Sequence, residues 1–501
     1  MDRIEKVVIL GGGTSGWMAA AALAATYGKT VAISLVESDA IGSIGVGEAT
    51  IPTIHWFNNL IQLNEAAFLR STKASYKLGI EFVGWTGAKS RYFHPFGRYG
   101  VDIGTVPFHQ RWLRGQADGS GQPLDAYSLA TQLAKAGRFA KPTADNRSIL
   151  ATLGYAFHFD ASLYAAHLRQ IAEVAGVRRY EGKLASVEQD SQTGFATALS
   201  TDRGVRLEAD LFIDCSGFKA LLIDGVMGSP FEDWSHWLPC NSAVAIPCAA
   251  GSRTEPFTRA TLRSAGWQWR IPLQHRIGNG YVYSNEFLSD DEAAATLGEN
   301  LDGAPLGEAR LIKFKTGLRP KAWRKNVVAI GLSAGFLEPL ESTSIHLIQS
   351  GIAKLLSLFP NKDCHRNLRN RYNDLMMEDM SGIRDFLILH YQKTEGNDEP
   401  FWKHVRNRLI PESLDLRIDE YRRTGRLMLN SDDLFKEASW LAVLNGQGVR
   451  ALGTTPIADT LDTASNIRQL NHISDVVAAA VPTFRTHDDY ISAVLAETRK
   501  E

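Results

Sequence analysis

Cysteine is scarce in this chain and no two cysteines lie close together. Four occur in 501 residues, at Cys215, Cys240, Cys248 and Cys364. There is no C-x-x-C, which excludes a thiol metal ribbon and a disulfide frame and reads as reduced thiols. Charge of one sign is equally lacking. The 54 Lys and Arg residues face 55 Asp and Glu, a formal net charge of −1, and no long run of like charge occurs. Nothing therefore points to a nucleic-acid or polyanion partner. Long hydrophobic runs are missing too. The apolar stretch from Met18 to Ala25 is far too short to cross a bilayer, so no membrane association is expected. The start of the chain is charged and passes straight into a short apolar strand, without the pattern of a secretory leader. A cytoplasmic location is the expectation. What remains, 44% hydrophobic and 22% charged residues, suits a globular enzyme with two or three structural units.

The first forty residues carry the clearest local pattern. Lys6 to Leu10 is a β-branched strand, an alanine-rich helix runs to about Tyr27, and Thr30 to Val36 is a second strand. Strand, turn, helix and strand make a βαβ unit, the start of a parallel sheet. Between strand and helix lies Gly11-Gly12-Gly13-Thr14-Ser15-Gly16, which contains G-x-G-x-x-G. Gly11 allows the tight turn, Gly13 lets the backbone approach a pyrophosphate, and Gly16 lets helix and strand pack closely. The free N–H groups at Thr14 and Ser15 face the anion. Glu37 closes the second strand, where a carboxylate is placed to bind a ribose hydroxyl. The bare motif is weak, and both a ligand-free glycine turn and an NAD site stay open at this point.

Two later segments favour FAD. Arg206 to Asp214 alternates as a strand, and Asp210 to Gly217, ending Ile213-Asp214-Cys215-Ser216-Gly217, looks like the strand that closes the adenine side in FAD enzymes. Asn326 to Phe336, with Gly331, takes the place of the late strand and loop beside the flavin. Many FAD hydroxylases carry Gly-Asp there, but the residue after Gly331 is Leu332.

Three further segments converge. Ser75-Tyr76-Lys77-Leu78-Gly79-Ile80, Trp267-Gln268-Trp269-Arg270-Ile271-Pro272 and Pro339-Leu340-Glu341-Ser342-Thr343-Ser344 together resemble the flavin-dependent tryptophan and indole halogenases, in which a lysine motif, W-x-W-x-I-P and E-S-T occur in this order. Gly45 to Pro52 is similar to that family's strap across the flavin. The resemblance spans at least the first 350 residues. It implies an α/β fold in which an FAD-binding Rossmann-like module of the glutathione-reductase and hydroxylase type is interleaved with a substrate module and a helical C-terminal extension. The expected boundaries are 1–226 with about 310–360 for the FAD module, 227–309 for the substrate sheet and 361–501 for the helical region.

The resemblance also implies roles. FAD enters as FADH2 from a separate NAD(P)H-dependent flavin reductase. With O2 and bromide or chloride it yields hypohalous acid, which travels through an internal tunnel to Lys77. Lys77 holds the acid by a hydrogen bond or, when neutral, as a haloamine, and burial would favour the neutral form. By itself, a lysine at a strand end is ordinarily a solvated charge. Glu341 polarises the electrophile or takes the proton released as the ring regains aromaticity. Its ordinary alternative is a carboxylate offsetting a helix dipole, since a helix with buried Ile345, Ile348, Ile352 and Leu355 begins just after it. The N–H groups of Thr343 and Ser344 hold the halide, with Ser344 standing where the family has glycine. A plain Ser/Thr N-cap is the alternative.

The FAD contacts implied are the glycine turn, Glu37, Gly47, Glu48, Ala49 and Thr50 of the strap, Asp214, Gly331 and Leu337. The aromatic substrate is assigned to His94 and Phe96, to Trp267 and Trp269 as a wall, to Pro339 and to Trp440. Each of these aromatics has a plain core reading beside it. In relatives that take free tryptophan, two tyrosines of a C-terminal helix fix the amino acid head. Trp440 and Leu441 stand in those places and neither can hold a carboxylate. The expected substrate is therefore indole or an indole derivative, with tryptophan left open. Competing readings are an FAD-dependent aromatic hydroxylase of the same fold and a non-catalytic flavoprotein. The oligomeric state is left open, a homodimer included.

Overall fold

The structure is a computed structural model that describes residues 2–41, 47–394 and 397–497. Gly45 and Val46 of the strap lie outside the described residues. The chain divides into two units. The first comprises Met1–Ala74, Phe159–His236 and Lys313–Ser381, and the second Ser75–His158, Trp237–Ile312 and Gly382–Glu501.

The first unit is built on a six-stranded sheet in the order Trp323–Arg324, Val327–Ala329, Leu211–Asp214, Lys6–Leu10, Ala32–Glu37, Arg178–Glu181. All pairs are parallel except the first. The central strands are apolar on both faces, as a parallel sheet covered by helices requires. Helix Thr14–Tyr27 supplies one cover. Its small side chains Ala19 to Ala22 are buried, which lets helices Ala161–Val174 and Ser344–Ser357 pack closely on it.

One sequence expectation is corrected here. Arg206 to Asp214 is not a single strand. Arg206–Glu208 belongs to a small antiparallel sheet and Leu211–Asp214 to the large parallel one. The break falls at Asp210, whose carboxylate accepts the main-chain N–H groups of Glu5 and Lys6 at 2.8 and 3.0 Å. Alternation continued through the break, so periodicity alone did not reveal it.

The second unit is organised by an eight-stranded sheet that includes, in order, Ser242–Ala245, Arg276–Tyr283, Gly266–Pro272, Thr258–Arg263, Gly79–Val83 and Arg91–Pro95. Parallel pairing of Gly79–Val83 with Thr258–Arg263 draws residues 75–158 into this unit, whereas the sequence reading had grouped them with the FAD module. Past Asn361 the chain is helical, as expected. Helix Glu437–Gly446 packs on strand Arg91–Pro95, and a Cβ on Gly446 would lie 2.4 Å from the Tyr92 ring, so only glycine permits that approach.

No helix among the described residues is long and apolar enough to cross a membrane. No group of metal-ligating side chains occurs among them, and no disulfide joins the four buried cysteines.

Candidate active site

In the first unit the glycine turn has the geometry its sequence implied. Gly11 adopts φ +113°, and a Cβ there would stand 2.2 Å from the carbonyl of Cys215. A Cβ on Gly16 would stand 1.8 Å from the Gly11 carbonyl. Gly13 differs: a Cβ there meets nothing within 4 Å, and Gly13 caps the helix with no side chain bonded to its first N–H groups. Open space in front of uncapped N–H groups is what a pyrophosphate needs, so the residues present fit FAD.

Glu37 sits at the end of its strand, held by Arg179 Nε at 2.6 Å, with its second oxygen so close to Gly12 that a Cβ there would be 1.5 Å away. The arginine clamp was not legible in sequence because Arg179 arrives from the neighbouring strand. Asp214 is fully buried and turned inward. It accepts hydrogen bonds from the N–H groups of Ser216, Leu222 and Ile223 and from Ser216 Oγ. Its role on this geometry is to hold the turn that packs against Gly11. Gly331, at φ +77°, leaves only 2.9 Å between a virtual Cβ and the Ser15 side chain, and 3.4 Å to Ile348. This loop thus joins the glycine turn to helix Ser344–Ser357.

That helix carries the candidate halide site. Pro339–Glu341 forms a 3-10 turn, Glu341 is fully buried, and Ser342 takes the left-handed conformation at φ 60°. Ser344 stands where the family has glycine, but the left-handed residue is Ser342, two positions earlier. A non-glycine residue held there is strained. Thr343 is the N-cap, yet no side chain caps the helix. The simple Ser/Thr cap is therefore not what these residues form. The Thr343 hydroxyl is buried without a hydrogen-bond partner among the described residues. Uncapped N–H groups on a 14-residue helix present a positive field to an anion.

Of the strap, Glu48 lies on the short strand Gly47–Ala49. Burial pushes its carboxyl up to about 7, although part of the residue keeps solvent access. The folded chain then holds this proton to about pH 7, while an unfolded glutamate releases it near pH 4.3. Its stabilising contribution is complete below the unfolded value and is lost as pH rises through 7. The melting temperature of the FAD-free protein is expected to fall between pH 6 and 8, with a smaller fall in Glu48→Gln. Parallel melting curves in the two proteins would refute it.

The second unit holds the other residues. Lys77 is 0% exposed, at the end of strand Ser75–Lys77, and its Nζ lies 5.1 Å from the centre of the Phe96 ring. The strand is fixed on both sides of the chain. Ser75 Oγ donates to the Pro272 carbonyl at 2.7 Å, and the Tyr76 N–H donates to His487 Nε2 at 3.0 Å. Ser75 pairs in register with His158. Burial, and next the Lys77 charge, hold the His158 imidazole well below its ordinary value, so it is neutral. The glycine of the lysine motif also has a reason: a Cβ on Gly79 would stand 2.3 Å from the His94 carbonyl.

Trp267 and Trp269 lie on one face of strand Gly266–Pro272, ring centres 6.2 Å apart, opposite Val282 and Gly280. A Cβ on Gly280 would sit 2.0 Å from the Trp269 ring, so this glycine makes the seat for the indole. The Trp269 Nε1 is buried without an acceptor among the described residues.

His94 neighbours two aromatics that sequence reasoning missed, Phe386 at 5.8 Å and Phe435 at 6.2 Å. Those two stack at 3.9 Å, and Phe386 meets Trp440 edge-on at 5.1 Å. Arg417 lies over Trp440, 5.0 Å from its ring, and is paired with Asp433 at 2.7 Å. No motif marks these residues, because they come from three separate segments of the helical region.

A pyrophosphate-shaped glycine turn in a parallel sheet, an uncapped helix after Glu-Ser-Thr, and a buried lysine with a tryptophan pair define a flavoprotein equipped for halide chemistry. The tryptophan halogenase family profile matches residues 6–463, and the chain belongs to that family. It is 34% identical to the tryptophan 6-halogenase SttH of Streptomyces toxytricini, over 98% of each chain. It is 34% identical to the tryptophan 7-halogenase RebH of Lentzea aerocolonigenes, over 84% of this chain and 82% of the other. Among solved structures, the flavin-dependent halogenase BrvH of Brevundimonas sp. BAL3 superposes with a TM-score of 0.94 at 44% identity, covering 98% of this chain and 99% of the other. A flavin-dependent halogenase from Xanthomonas campestris superposes at 0.95 and 42% identity, covering 98% of each. The enzyme is accordingly a flavin-dependent halogenase that draws FADH2 from a separate reductase and uses halide and O2.

Proposed function

We propose that the enzyme halogenates a neutral, electron-rich aromatic of the indole class and does not recognise an amino acid head. The observation that carries this reading is the surroundings of Trp440. The position of the polar head's tyrosines in those relatives is taken by a buried indole ring, and the Arg417 guanidinium stacked on that ring is neutralised by Asp433. A carboxylate brought there would meet a guanidinium that is already paired and would be desolvated at a cost of about 1–3 kcal/mol or more.

When bound, reduced FAD would supply two electrons to O2, and the halide two more, giving hypohalous acid and water. The N–H groups of Thr343 and Ser344 hold the halide beforehand, drawn by the helix terminus. Lys77 receives the hypohalous acid and presents its halogen to the ring. Burial strengthens that hydrogen bond and excludes competing water. The halogen bonds to a ring carbon with the ring's π pair, the O–halogen bond breaks, and the oxygen leaves as water after taking a proton. Glu341 takes the proton lost from the substituted carbon. Trp267 and Trp269 fix the ring's plane, so orientation selects the carbon.

The test is a mass-spectrometric assay with FAD, an unrelated flavin reductase, NADH and air. Indole and tryptophan are offered separately, each with bromide or chloride. A halogen isotope pattern on indole, with turnover at least about tenfold above tryptophan, is the expected result and also ranks the halides. Preferred turnover of tryptophan would reverse the substrate reading. Addition of oxygen without halogen would favour a hydroxylase.

A further inference from the structure

The two tryptophans of strand Gly266–Pro272 use one face of the sheet. Gln268 and Arg270, between and after them, use the other, and that face carries a polar groove of about 300 Å³. The register assembles it. Arg270 lies opposite Arg259, and Gln268 opposite Thr261. Thr261 lies beside Val83, and Val83 opposite Arg91. Arg263, two residues past Thr261, completes the row. Gln268 and Arg270 are each only 5% exposed, so the floor is made of buried polar groups.

Four guanidiniums on one sheet face repel each other, most of all Arg259 and Arg270 directly across the strands. Asp302 bridges these two, with Arg259 Nη2 at 3.0 Å and a hydrogen bond from Arg270 Nε. Glu255 adds to Arg270 at 2.8 Å and Glu81 to Arg91 at 3.1 Å. Arg263 has no carboxylate partner among the described residues. Its Nε and Nη2 both donate to the neutral Gln268 Oε1, at 2.9 and 2.6 Å. Burial holds its guanidinium below the ordinary value, and the Arg259 charge adds to that effect. Four guanidiniums against three carboxylates leave one positive charge over, and Arg263 is where it resides.

We propose that this groove is a binding site for the phosphate group of a small polar molecule. Among the described residues no aromatic ring lines it, and Val83 and Leu301 are its apolar members, which disfavours a flat aromatic ligand. Several guanidiniums with the Thr261 hydroxyl match the oxygens of a phosphate better than the two of a carboxylate. The site is separate from the tryptophan face of the same strand and independent of the substrate reading.

The experiment is calorimetric titration of the FAD-loaded enzyme, in which the glycine turn is already taken. Inorganic phosphate and acetate are titrated in separate runs at constant ionic strength. Saturable phosphate binding is expected, with acetate at least about tenfold weaker and Arg263→Gln weakening phosphate at least about tenfold. Arg91→Gln, at a mostly exposed side chain whose loss does not threaten the fold, is expected to weaken phosphate as well. Heat that does not saturate, acetate binding as tightly as phosphate, or full binding retained in both variants would each overturn the proposal.

Discussion

Lys77→Ala is expected to lower halogenated product by about a thousandfold or more, while FAD affinity and reoxidation of the reduced flavin stay close to native. The side chain is wholly enclosed beside Phe96, and its strand is tied down at Ser75 and Tyr76. A lysine buried this deeply costs stability, so its removal is not expected to unfold the protein. Lys77→Met sharpens the test, since it keeps the volume and loses only the N–H groups. The measurement is product by mass spectrometry beside free hypohalous acid caught by an added scavenger, which should account for the flavin consumed once ring halogenation stops. A folded Lys77→Met enzyme within tenfold of native turnover would remove the lysine from the chemistry.

Glu341→Gln should reduce kcat/KM by about a hundredfold, the usual worth of a positioned proton acceptor. The glutamine keeps size and hydrogen-bonding shape in a site that is fully buried. The variant therefore separates proton transfer from packing. If Glu341 takes the ring proton, its loss slows that step, and a substrate deuterated at the halogenated carbon should show an isotope effect larger than with the native enzyme. An unchanged isotope effect together with native turnover would leave Glu341 as a helix-dipole carboxylate only.

Much of this was legible because several motifs are local. The glycine turn, the W-x-W alternation and the helix after Glu-Ser-Thr depend on neighbours within a few residues, and each forms where expected. The helix foreseen just after Glu341 begins at Ser344 and runs to Ser357. What the sequence hid was long-range. Arg179 clamps Glu37 across 142 positions. Phe386 and Phe435 reach His94 from the far end of the chain. The split near Asp210 depends on a carboxylate bonding to the first strand 204 and 205 residues away, and a periodic pattern carries no sign of it. Residues 75–158 join the second unit through a parallel strand pair that no local signal announces.

Strand Gly266–Pro272 acts as a septum with a dry side and a wet side. Positions 267 and 269 carry indole rings, the second seated on Gly280, and positions 268 and 270 carry Gln268 and Arg270 among charges. Because side chains alternate strictly, sliding this strand by one residue would turn both tryptophans into the arginine groove and two polar groups into the aromatic face. Single substitutions at either face should therefore act on one compartment alone. A one-residue insertion or deletion here would exchange the two compartments at once, making this short stretch far less tolerant of length change than of change in composition.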